Sequence, residues 1–326
     1  MRPLRRLGLA LTAALLLGAA PAAWAATWVV GPAPHLPSVA EALRRAADGD
    51  VVEVMPGTYR GDVAVITQRG LTIRGVGARP VLSADGRHAE GKAIWVVRDG
   101  DITVENIEFR GARVPDLNGA GIRFEKGRLR IVRCAFLDNE MGLLTANFGD
   151  AELRIEDSEF GLAPRHAGSL HHLLYVGRIA RVEVTGSRFH QGHLGHLIKS
   201  RARESVITGN TLVDGPMGQA SYEIDLPNGG RARVSGNTIG QGDGADNLVL
   251  VAFGAEGSAW PDSALTMEDN TLVNEASRPA WFLRVWPERL PDGTPVVVRR
   301  NRLVGTGRMA AGPAAVVDGN LTVPRP

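Results

Sequence analysis

Apolar and polar residues alternate along this chain in short runs, and one phrase recurs among them. The phrase is a β-branched or other apolar residue, two polar or small residues, a small residue or Asn, one more residue, and then Phe, Leu or Ile. It occurs at residues 104–109, 131–136, 155–160, 184–189, 207–212, 234–239, 267–272 and 298–303. Copies begin 23 to 33 residues apart. Recurrence at such a period indicates a solenoid, in which each repeat buries its apolar face against its neighbours.

The repeats contain short β-type runs and turn glycines, so we predict that their units are strands. Neighbouring coils of such a stack lie about 4.8 Å apart, and residues at equivalent positions should touch. Asn210, Asn237, Asn270 and Asn301 occupy equivalent turn positions, and we expect their amides to stack as a ladder inside a corner. Cys134, the only cysteine, occupies the small-residue position of its repeat and is predicted to pack inward without a disulfide.

The segment before the repeats is predicted to start the stack. A short amphipathic helix is predicted over residues 38–47, with Ser38 as its N-cap and Glu41 completing a capping box. Residues 51–54 are predicted to begin the first strand. A helix laid over the end of the solenoid would block pairing at an open sheet edge.

This order of elements is similar to that of a known superfamily. The helix, the segment GDVVEVMPGTY at residues 49–59 and the later coils containing V-x-G-N-T-I resemble the pectate-lyase-like superfamily, which has the pectin lyase fold. The resemblance covers roughly residues 35–323. It implies an all-β fold, a right-handed parallel β-helix (solenoid) with a short N-terminal capping helix. We expect residues 26–326 to form a single domain.

Residues 1–25 have the pattern of a secretory signal peptide. Three arginines precede an apolar run at residues 7–20, and an A-x-A cleavage site ends at Ala25. The apolar run is short for a membrane span. We therefore expect an exported protein, periplasmic or secreted, with no membrane span after cleavage of the signal.

The net charge of the chain does not favour an anionic partner. The whole chain has 37 Lys and Arg against 35 Asp and Glu, and removing the signal takes away three Arg, which leaves 34 against 35. This balance argues against nucleic acid as a partner, so an anionic ligand would be recognised by a local patch. Neither a zinc-type Cys/His spacing nor a phosphate-binding glycine loop is present. We expect no cofactor, and a monomer.

The candidate chemistry is concentrated in the middle of the chain. Six of the eight histidines fall between positions 166 and 196, namely His166, His171, His172, His190, His193 and His196. Lysine is rare, and Lys199 lies inside a predicted strand of a chain that otherwise uses Arg. A Lys in that setting offers a titratable amine, which Arg does not supply.

Three successive coils align on their first strand, at residues 174–176, 198–200 and 224–226. Strand alternation places Tyr175, Lys199 and Asp225 on the outer face. The same alternation adds Glu223 and His171 to that face. It points His172, His196 and Tyr222 inward, although alternation often fails at corners. Arg178, Arg201 and Asn228 lie in the adjoining turns.

A second resemblance concerns this region. Residues 192–212, GHLGHLIKSRARESVITGNTL, resemble the coil E-x-E-I-I-S-x-K-S…N-T-F of the alginate lyase and chondroitinase B family. In that family the Lys is the base, and it matches Lys199, which Ser200 follows. The glutamates that help to hold calcium in the family fall near His193 and His196, and calcium prefers oxygen ligands. The resemblance therefore implies that Lys199 is a base, and it does not support a calcium site.

Two further departures matter for the chemistry. An Arg that the family has on the next coil falls near Asp225, so Arg201, Arg178 or a protonated His would have to neutralise a substrate carboxylate. Residues 221–230, SYEIDLPNGG, resemble the Tyr-Gly-x-Asp-Pro-His segment of mannuronan C5-epimerases at Tyr222 and Asp225, with one residue inserted before Pro227 and no His after it. Paired aspartates of the polygalacturonase type are absent, which argues against hydrolysis between two carboxylates.

These patterns predict an enzyme that removes the C5 proton of a uronate in an acidic polysaccharide, as a lyase or an epimerase. Lys199 is the candidate base, Tyr175 or His196 the candidate acid, and Asp225 a further catalytic residue that orients the site. The predicted substrate-binding residues are His171, His172, His193, Arg178, Arg201, Tyr222, Glu223 and Asn228.

Other readings of the same residues stay open. Lys199 and Asp225 would also be compatible with a surface ion pair worth ~0–1 kcal/mol, and an acidic neighbour stabilises the protonated amine that a base must lose. A non-catalytic glycan-binding or cell-envelope structural protein is the alternative on the same scaffold. A protein–protein role in polysaccharide export is a third. Trp260, Trp281 and Trp286 are predicted to be either sugar platforms or packing residues.

Overall fold

The computed structural model describes residues 25–165 and 170–325. Over these residues the chain forms a right-handed parallel β-helix with one α-helix, α1 (Val39–Arg45), and one 3-10 turn (Pro287–Arg289). Residues 1–24 of the predicted signal peptide and His166 lie outside the described residues. No helix in the described part of the chain is long and apolar enough to cross a membrane.

The strands are short and follow one another in a regular order. The first group comprises β1 (Thr27–Val30), β2 (Val51–Val54), β3 (Thr58–Arg60), β4 (Ala64–Ile66), β5 (Gly70–Gly75), β6 (Val81–Ser83), β7 (Ala93–Val97) and β8 (Asp101–Glu105). The second comprises β9 (Glu108–Arg110), β10 (Ala120–Phe124), β11 (Arg128–Val132), β12 (Ala135–Leu137), β13 (Met141–Thr145), β14 (Glu152–Glu156) and β15 (Glu159–Gly161). The third comprises β16 (Leu174–Val176), β17 (Arg181–Thr185), β18 (Arg188–His190), β19 (Ile198–Ser200), β20 (Glu204–Thr208), β21 (Thr211–Val213), β22 (Tyr222–Leu226), β23 (Arg231–Ser235) and β24 (Thr238–Gln241). The last comprises β25 (Val249–Phe253), β26 (Ala264–Glu268), β27 (Thr271–Asn274), β28 (Ala280–Val285), β29 (Val296–Arg299), β30 (Arg302–Val304), β31 (Gly307–Ala310), β32 (Val316–Asp318) and β33 (Leu321–Val323).

Successive coils contribute strands to three parallel sheets among the described residues. A twelve-stranded sheet runs β1-β2-β5-β8-β11-β14-β17-β20-β23-β26-β29-β32, and an eleven-stranded sheet runs β3-β6-β9-β12-β15-β18-β21-β24-β27-β30-β33. A ten-stranded sheet runs β4-β7-β10-β13-β16-β19-β22-β25-β28-β31. The predicted solenoid of strands is therefore confirmed, and the ten-stranded sheet contains the residues that were aligned for chemistry.

The recurring phrase spans the corner between the twelve-stranded and eleven-stranded sheets. Its final apolar residue points into the core, where Phe109, Phe136, Phe160 and Phe189 are fully or almost fully buried. Their rings stack at centroid distances of 5.1, 4.6 and 4.8 Å from one coil to the next. Aromatic pairs at this separation add about 0.5–1.5 kcal/mol to the stabilisation from burial. The phrase thus places one large apolar side chain above another along the axis.

The asparagine ladder is confirmed. The backbone N–H of Asn210 donates to Oδ1 of Asn237 at 2.9 Å, and the same bond joins Asn237 to Asn270 and Asn270 to Asn301 at 3.0 Å. Each amide also donates to the next one, at 2.9–3.0 Å. The chain turns sharply there, with a φ of 66° at Gly209, a conformation that glycine adopts without a steric penalty. The ladder satisfies polar groups inside the corner and fixes the register of the coils.

Cys134 continues this corner at the N-terminal side of the ladder. It is fully buried, as predicted, and its backbone N–H donates to Oγ of Ser158 at 3.1 Å. Burial raises the pKa of the Cys134 thiol to about 12. A thiol that stays protonated is a poor nucleophile, so Cys134 is a packing residue.

The helix begins as predicted but the capping box is half formed. Oγ of Ser38 accepts the backbone N–H of Glu41 at 3.1 Å. The Glu41 carboxylate pairs with Arg44 and Arg45 instead of returning to the N-cap backbone. Asp62 on the next segment accepts the N–H of Val39 at 2.6 Å, which anchors the helix N-terminus to the first coil.

The first strand is earlier than predicted. β1 precedes α1 and pairs with β2 as the outermost strand of the twelve-stranded sheet. The helix contacts β1, β2 and β4, so it packs on the first coil. Its role as a cap over an open edge stays a prediction.

Candidate functional site

The register of the ten-stranded sheet aligns three of the predicted site residues in one row. Tyr175 on β16 pairs with Lys199 on β19, and Lys199 pairs with Asp225 on β22. The neighbouring row of Leu174, Ile198 and Ile224 is buried in the hydrophobic core. The first row therefore has its side chains on the outer face, as strand alternation predicted.

The side chains of this row form a tight ionic contact. Nζ of Lys199 lies 3.1 Å from Oδ2 of Asp225, and Nε2 of His196 lies 3.3 Å from the same oxygen. Asp225 is 2 % exposed and Lys199 is 7 % exposed. Burial acts to raise the pKa of Asp225, but hydrogen bonds and positive charge from His196 and Lys199 outweigh it and hold that pKa below 3.8. Asp225 is thus a buried carboxylate with two cationic or donor neighbours.

A carboxylate from a distant loop completes the cluster. Oε1 of Glu256 lies 2.6 Å from Nζ of Lys199, and Oε2 of Glu256 accepts Nη2 of Arg201 at 2.6 Å. Burial acts to raise the pKa of Glu256, yet the two cations together lower it below 4.5. Glu256 therefore binds both cations with one carboxylate.

Arg201 organises the side of the cluster next to the turns. Its Nε donates to the hydroxyl oxygen of Tyr175 at 2.9 Å, and its Nη1 donates to Oδ1 of Asn228 at 2.8 Å. Nδ2 of Asn228 in turn donates to the backbone carbonyl of Gly257 at 2.6 Å. A guanidinium with several oriented partners is held in one geometry. Arg201, Asn228 and Tyr175 therefore meet as the sequence predicted.

Three aromatic rings form a stack beside this row. The rings of His172 and His196 have centroids 4.8 Å apart, and those of His196 and Tyr222 are also 4.8 Å apart and nearly parallel. Nδ1 of His172 accepts the N–H of His196 at 2.9 Å, and Nδ1 of His196 accepts the N–H of Tyr222 at 3.1 Å. Because Nδ1 accepts a backbone N–H in each ring, we assign a proton to Nε2 of both histidines. The Nε2–H of His196 then faces Asp225.

The prediction that this stack points inward is wrong. His172 and His196 precede β16 and β19, and Tyr222 begins β22 directly before Glu223, which the pairing of β22 with β25 skips. Strict strand alternation therefore does not hold for these three residues. Burial, followed by the electrostatic influence of His196 and the positive charges of Lys199 and Arg201, lowers the pKa of His172 well below 6.5. His172 is therefore neutral at neutral pH.

The prediction that Glu223 and His171 share the outer face is also wrong. Both are 0 % exposed. Glu223 takes the place that Leu173 and Leu197 occupy in the core of the preceding coils. Neither of its carboxyl oxygens has a hydrogen-bond partner among the described side chains and backbone. Burial and then the charge of Asp214 raise the pKa of Glu223 well above 4.5.

Arg178 and His193 lie at the two ends of the predicted region. The guanidinium of Arg178 lies 4.1 Å above the ring of Trp260 and donates to the carbonyl of Ser258 at 3.0 Å. Nε1 of Trp260 donates to the carbonyl of Arg201 at 3.0 Å, so Arg178 adjoins the cluster. His193 instead bonds to Gln219 at 2.9 Å, and no described contact joins it to Lys199.

The loop that provides Glu256 and Trp260 is the part that sequence reasoning missed. It spans residues 254–263, ten residues between β25 and β26, whereas four residues (227–230) join β22 to β23 and three (201–203) join β19 to β20. Comparing loop lengths between coils would have identified the extra residues. The repeat pattern does not predict that this loop folds back to contact Lys199, which lies two coils earlier. Trp260 contacts the guanidinium of Arg178 with its ring and the carbonyl of Arg201 with its Nε1.

No metal centre is apparent in the part of the chain that the structure describes, since no group of three or more His, Cys, Asp and Glu side chains there is arranged to hold an ion. The cluster has two cationic side chains, Lys199 and Arg201, next to the carboxylates of Asp225 and Glu256 and the phenol of Tyr175. A surface depression of about 800 Å³ lies at the first coil and is lined by Tyr59, Asp62 and Arg87. It contains none of the predicted site residues.

The fold and the site define a right-handed parallel β-helix with a compact ionisable and aromatic cluster on the outer face of its ten-stranded sheet. No protein-family model and no curated protein matches the chain. Among solved structures, the chain is similar to the crystal structure of alginate lyase from Paenibacillus sp. str. FPU-7, at 14 % identity and a TM-score of 0.48. The match covers 89 % of this chain and 99 % of that one. This likeness concerns the course of the chain and carries nothing about activity.

Proposed function

We propose that this protein acts on a uronic-acid-containing polysaccharide by abstracting the proton at C5, as a lyase or a C5-epimerase. The observation that carries the proposal is the convergence of Lys199, Tyr175 and Arg201 on one outer face, joined by hydrogen bonds and shared partners. C5 chemistry needs a base, an acid and a cation for the developing enediolate. These three residues offer one group of each kind. Export to the periplasm or the medium, where such polymers occur, belongs to the same proposal.

Arg201 is the group that we assign to the substrate carboxylate. Its guanidinium already binds the carboxylate of Glu256 at 2.6 Å, so its geometry suits a carboxylate. Nζ of Lys199 binds the other oxygen of the same group. A uronate carboxylate that displaced Glu256 would pair with Arg201, and planar guanidinium–carboxylate pairing would orient it beside Lys199.

Tyr175 is a better candidate for the acid than His196. Arg201 donates to the Tyr175 hydroxyl oxygen, which leaves the phenolic proton free to be donated and a cation beside the phenolate that results. In His196, Nδ1 accepts a backbone N–H and Nε2 faces Asp225. Both nitrogens are therefore occupied, and His196 positions Asp225.

The elimination balances with these groups. The C5 proton passes to the neutral amine of Lys199, and the C5–H electron pair forms the enediolate that Arg201 stabilises. The C4–O bond then breaks, the C4–C5 double bond forms, and the leaving oxygen takes the phenolic proton of Tyr175. An epimerase would return a proton to the opposite face of C5. In either reaction Lys199 must act as a free amine, which requires Glu256 to withdraw.

Glycan binding without chemistry is the second candidate, and one observation favours it. Lys199 is 7 % exposed and contacts two carboxylates, which stabilise its positive charge and oppose a role as base. In this alternative the ion pairs of the cluster stabilise the outer face of the ten-stranded sheet, and the polymer binds across that face.

The test is absorbance near 235 nm while the purified protein is mixed with a panel of uronate polymers. A 4,5-unsaturated uronate absorbs there. We expect a rise with the parent chain, and its loss in Lys199→Ala and in Tyr175→Phe, which keeps the ring. Lys126→Ala is the matched control, because Lys126 is partly exposed and, among the described residues, its one ion pair is with Asp150 at 3.6 Å.

A flat trace from folded protein on every polymer would contradict the lyase for those substrates. Incorporation of solvent deuterium at C5 would then support the epimerase. Absence of both signals would overturn C5 chemistry and leave the binding function.

A further inference from the structure

A second cluster lies on the same outer face, toward the C-terminal end of the ten-stranded sheet. It consists of Trp281 and Arg284 on β28, Trp286 directly after β28, and Arg308 on β31. We call these four residues the Trp/Arg cluster. Arg308 lies 3.8 Å above the ring of Trp281, and Arg284 lies 5.7 Å from that ring and 4.7 Å from the ring of Trp286. Both guanidinium groups belong to exposed residues.

The two arginines of this cluster have no carboxylate partner among the described residues. No ion pair or hydrogen bond of either side chain is found there, whereas Arg201, Arg203 and Arg231 all pair with Asp or Glu. Cation–π contact holds a guanidinium over a ring without using its N–H donors. Arg284 and Arg308 are therefore positioned cations whose donors remain available to an anion.

The register connects this cluster to the Lys199 site. Asp225 pairs with Ala252 and Ala252 with Arg284, so Arg284 continues the row of Lys199 and Asp225. At about 4.8 Å per strand, Arg284 lies roughly 14 Å along the axis from Lys199. Burial and then Asp225 raise the pKa of Tyr222, and the charge of Arg284 opposes them. The two clusters thus face the same solvent strip.

The aromatic row is similarly continuous. Tyr222, the last ring of the stack beside Lys199, pairs with Val249, and Val249 pairs with Trp281. Trp281 is partly exposed. A ring of this size beside a guanidinium offers an apolar surface to a sugar ring and charge to its carboxylate.

We infer that the Trp/Arg cluster is a separate binding site for a uronate residue of an acidic polysaccharide that lies along the ten-stranded sheet. One sugar packs on Trp281 while Arg284 and Arg308 bind its carboxylate, and the same polymer continues to Lys199. The inference rests on the proposed function for the identity of the ligand, and it does not depend on chemistry at Lys199.

The test is affinity electrophoresis of the full chain in gels that contain polygalacturonate or alginate, with neutral dextran as the uncharged polymer. The double variant Arg284→Gln/Arg308→Gln removes both cations and keeps the side-chain length. The matched control is Arg188→Gln/Arg302→Gln, since both of these arginines are exposed, lack an ion pair among the described residues and lie on the eleven-stranded sheet. Thermal melting checks that each variant is folded.

We expect the parent chain to be retarded by the uronate polymers and not by dextran. The dissociation constant should rise at least tenfold in Arg284→Gln/Arg308→Gln and less than twofold in the control. Equal binding by the parent and this variant overturns the inference. Equal weakening in the control pair, or no binding of uronate polymers by the parent, also overturns it.

The two proposals fail in different ways. A parent chain that binds through the Trp/Arg cluster but yields neither absorbance at 235 nm nor exchange at C5 loses the proposed chemistry and keeps this site. A lyase whose KM and kcat on long polymers are unchanged in the double variant keeps the chemistry and loses the site.

Discussion

The ammonium of Lys199 lies 2.6 Å from the carboxylate of Glu256, although the two residues are 57 positions apart in the chain. The other Glu256 oxygen binds Arg201. A protein carboxylate thus occupies both the proposed base and Arg201, the cation that we assign to a uronate, and the substrate would have to displace it.

Glu256→Gln should strengthen binding of uronate oligosaccharides, because the amide competes less well with the substrate carboxylate for Arg201. We expect the dissociation constant to fall three- to tenfold, while the free energy of unfolding falls by about 1–3 kcal/mol as charged hydrogen bonds are lost. Isothermal titration calorimetry and urea unfolding measure the two effects. Glu288→Gln is the control, since Glu288 is exposed and lies 3.9 Å from Arg289. Weaker binding in Glu256→Gln would show that Glu256 supports the ligand site.

Glu223 should make the protein less stable as the pH rises. The unfolded carboxyl ionises above its ordinary pKa of 4.5, whereas burial keeps the folded one protonated to higher pH. The unfolded state therefore binds fewer protons in this window, and the free energy of unfolding falls with pH by at most about 1.4 kcal/mol per unit.

Urea unfolding of the parent and Glu223→Gln at pH 4, 5, 6 and 7 measures this contribution. From about pH 4.5 upward, the free energy of unfolding of the parent should fall relative to that of Glu223→Gln. Asp214, whose pKa burial also raises, is present in both proteins. Parallel curves would mean that Glu223 ionises without cost.

His172 should have the opposite pH dependence. Its folded pKa is depressed by burial and by nearby positive charge, so the unfolded state takes up a proton at a higher pH than the folded one. Its contribution is fully present above 6.5 and is lost as the pH falls toward its depressed folded pKa. His172→Asn keeps an acceptor for the N–H of His196 and does not titrate. Between pH 7 and pH 5 the parent should lose more stability than this variant, and equal losses would contradict a neutral His172.

Asn237→Ala should be among the more destabilising changes in the corner. It removes the acceptor of the Asn210 N–H and amide, and the donor to the carbonyl of Ile207. Unsatisfied buried groups cost about 1–3 kcal/mol each, so we expect a loss of roughly 2–4 kcal/mol in urea unfolding. Asn247→Ala is the control, because Asn247 is exposed and bonds to Ser221 and Asp246 outside the ladder. A loss below 1 kcal/mol would mean that the ladder is dispensable.

Much of the fold was predictable because each coil repeats the same strand–turn–strand pattern. Asn210 and Asn237 occupy the same position of successive repeats, and residues at equivalent positions of neighbouring parallel coils touch each other. For the same reason Tyr175, Lys199 and Asp225 were correctly predicted to form one row. Where backbone conformation departs from the strand, as at His172 and His196, alternation gave the wrong face.

Glu223 shows another limit of pattern reasoning. An acidic residue at an alternating position was expected outside, yet it occupies a site that is leucine in the two preceding coils. The leucines at the equivalent position of the two preceding coils indicate a buried site, whereas strand alternation predicted the outer face. A buried carboxyl group avoids the penalty of an unpaired charge by staying protonated. A pattern of hydrophobic and polar residues does not show the protonation state.

The sequence by itself determined the solenoid, its corner ladder and the row that contains Lys199, because these features follow from local periodicity and a fixed strand spacing. The tertiary structure decided which groups surround Lys199. The 254–263 loop returns over two coils and places Glu256 on Lys199 and Arg201, and stacking on indole rings positions Arg284 and Arg308. Such contacts depend on the path of irregular backbone through space, and no periodicity encodes that path.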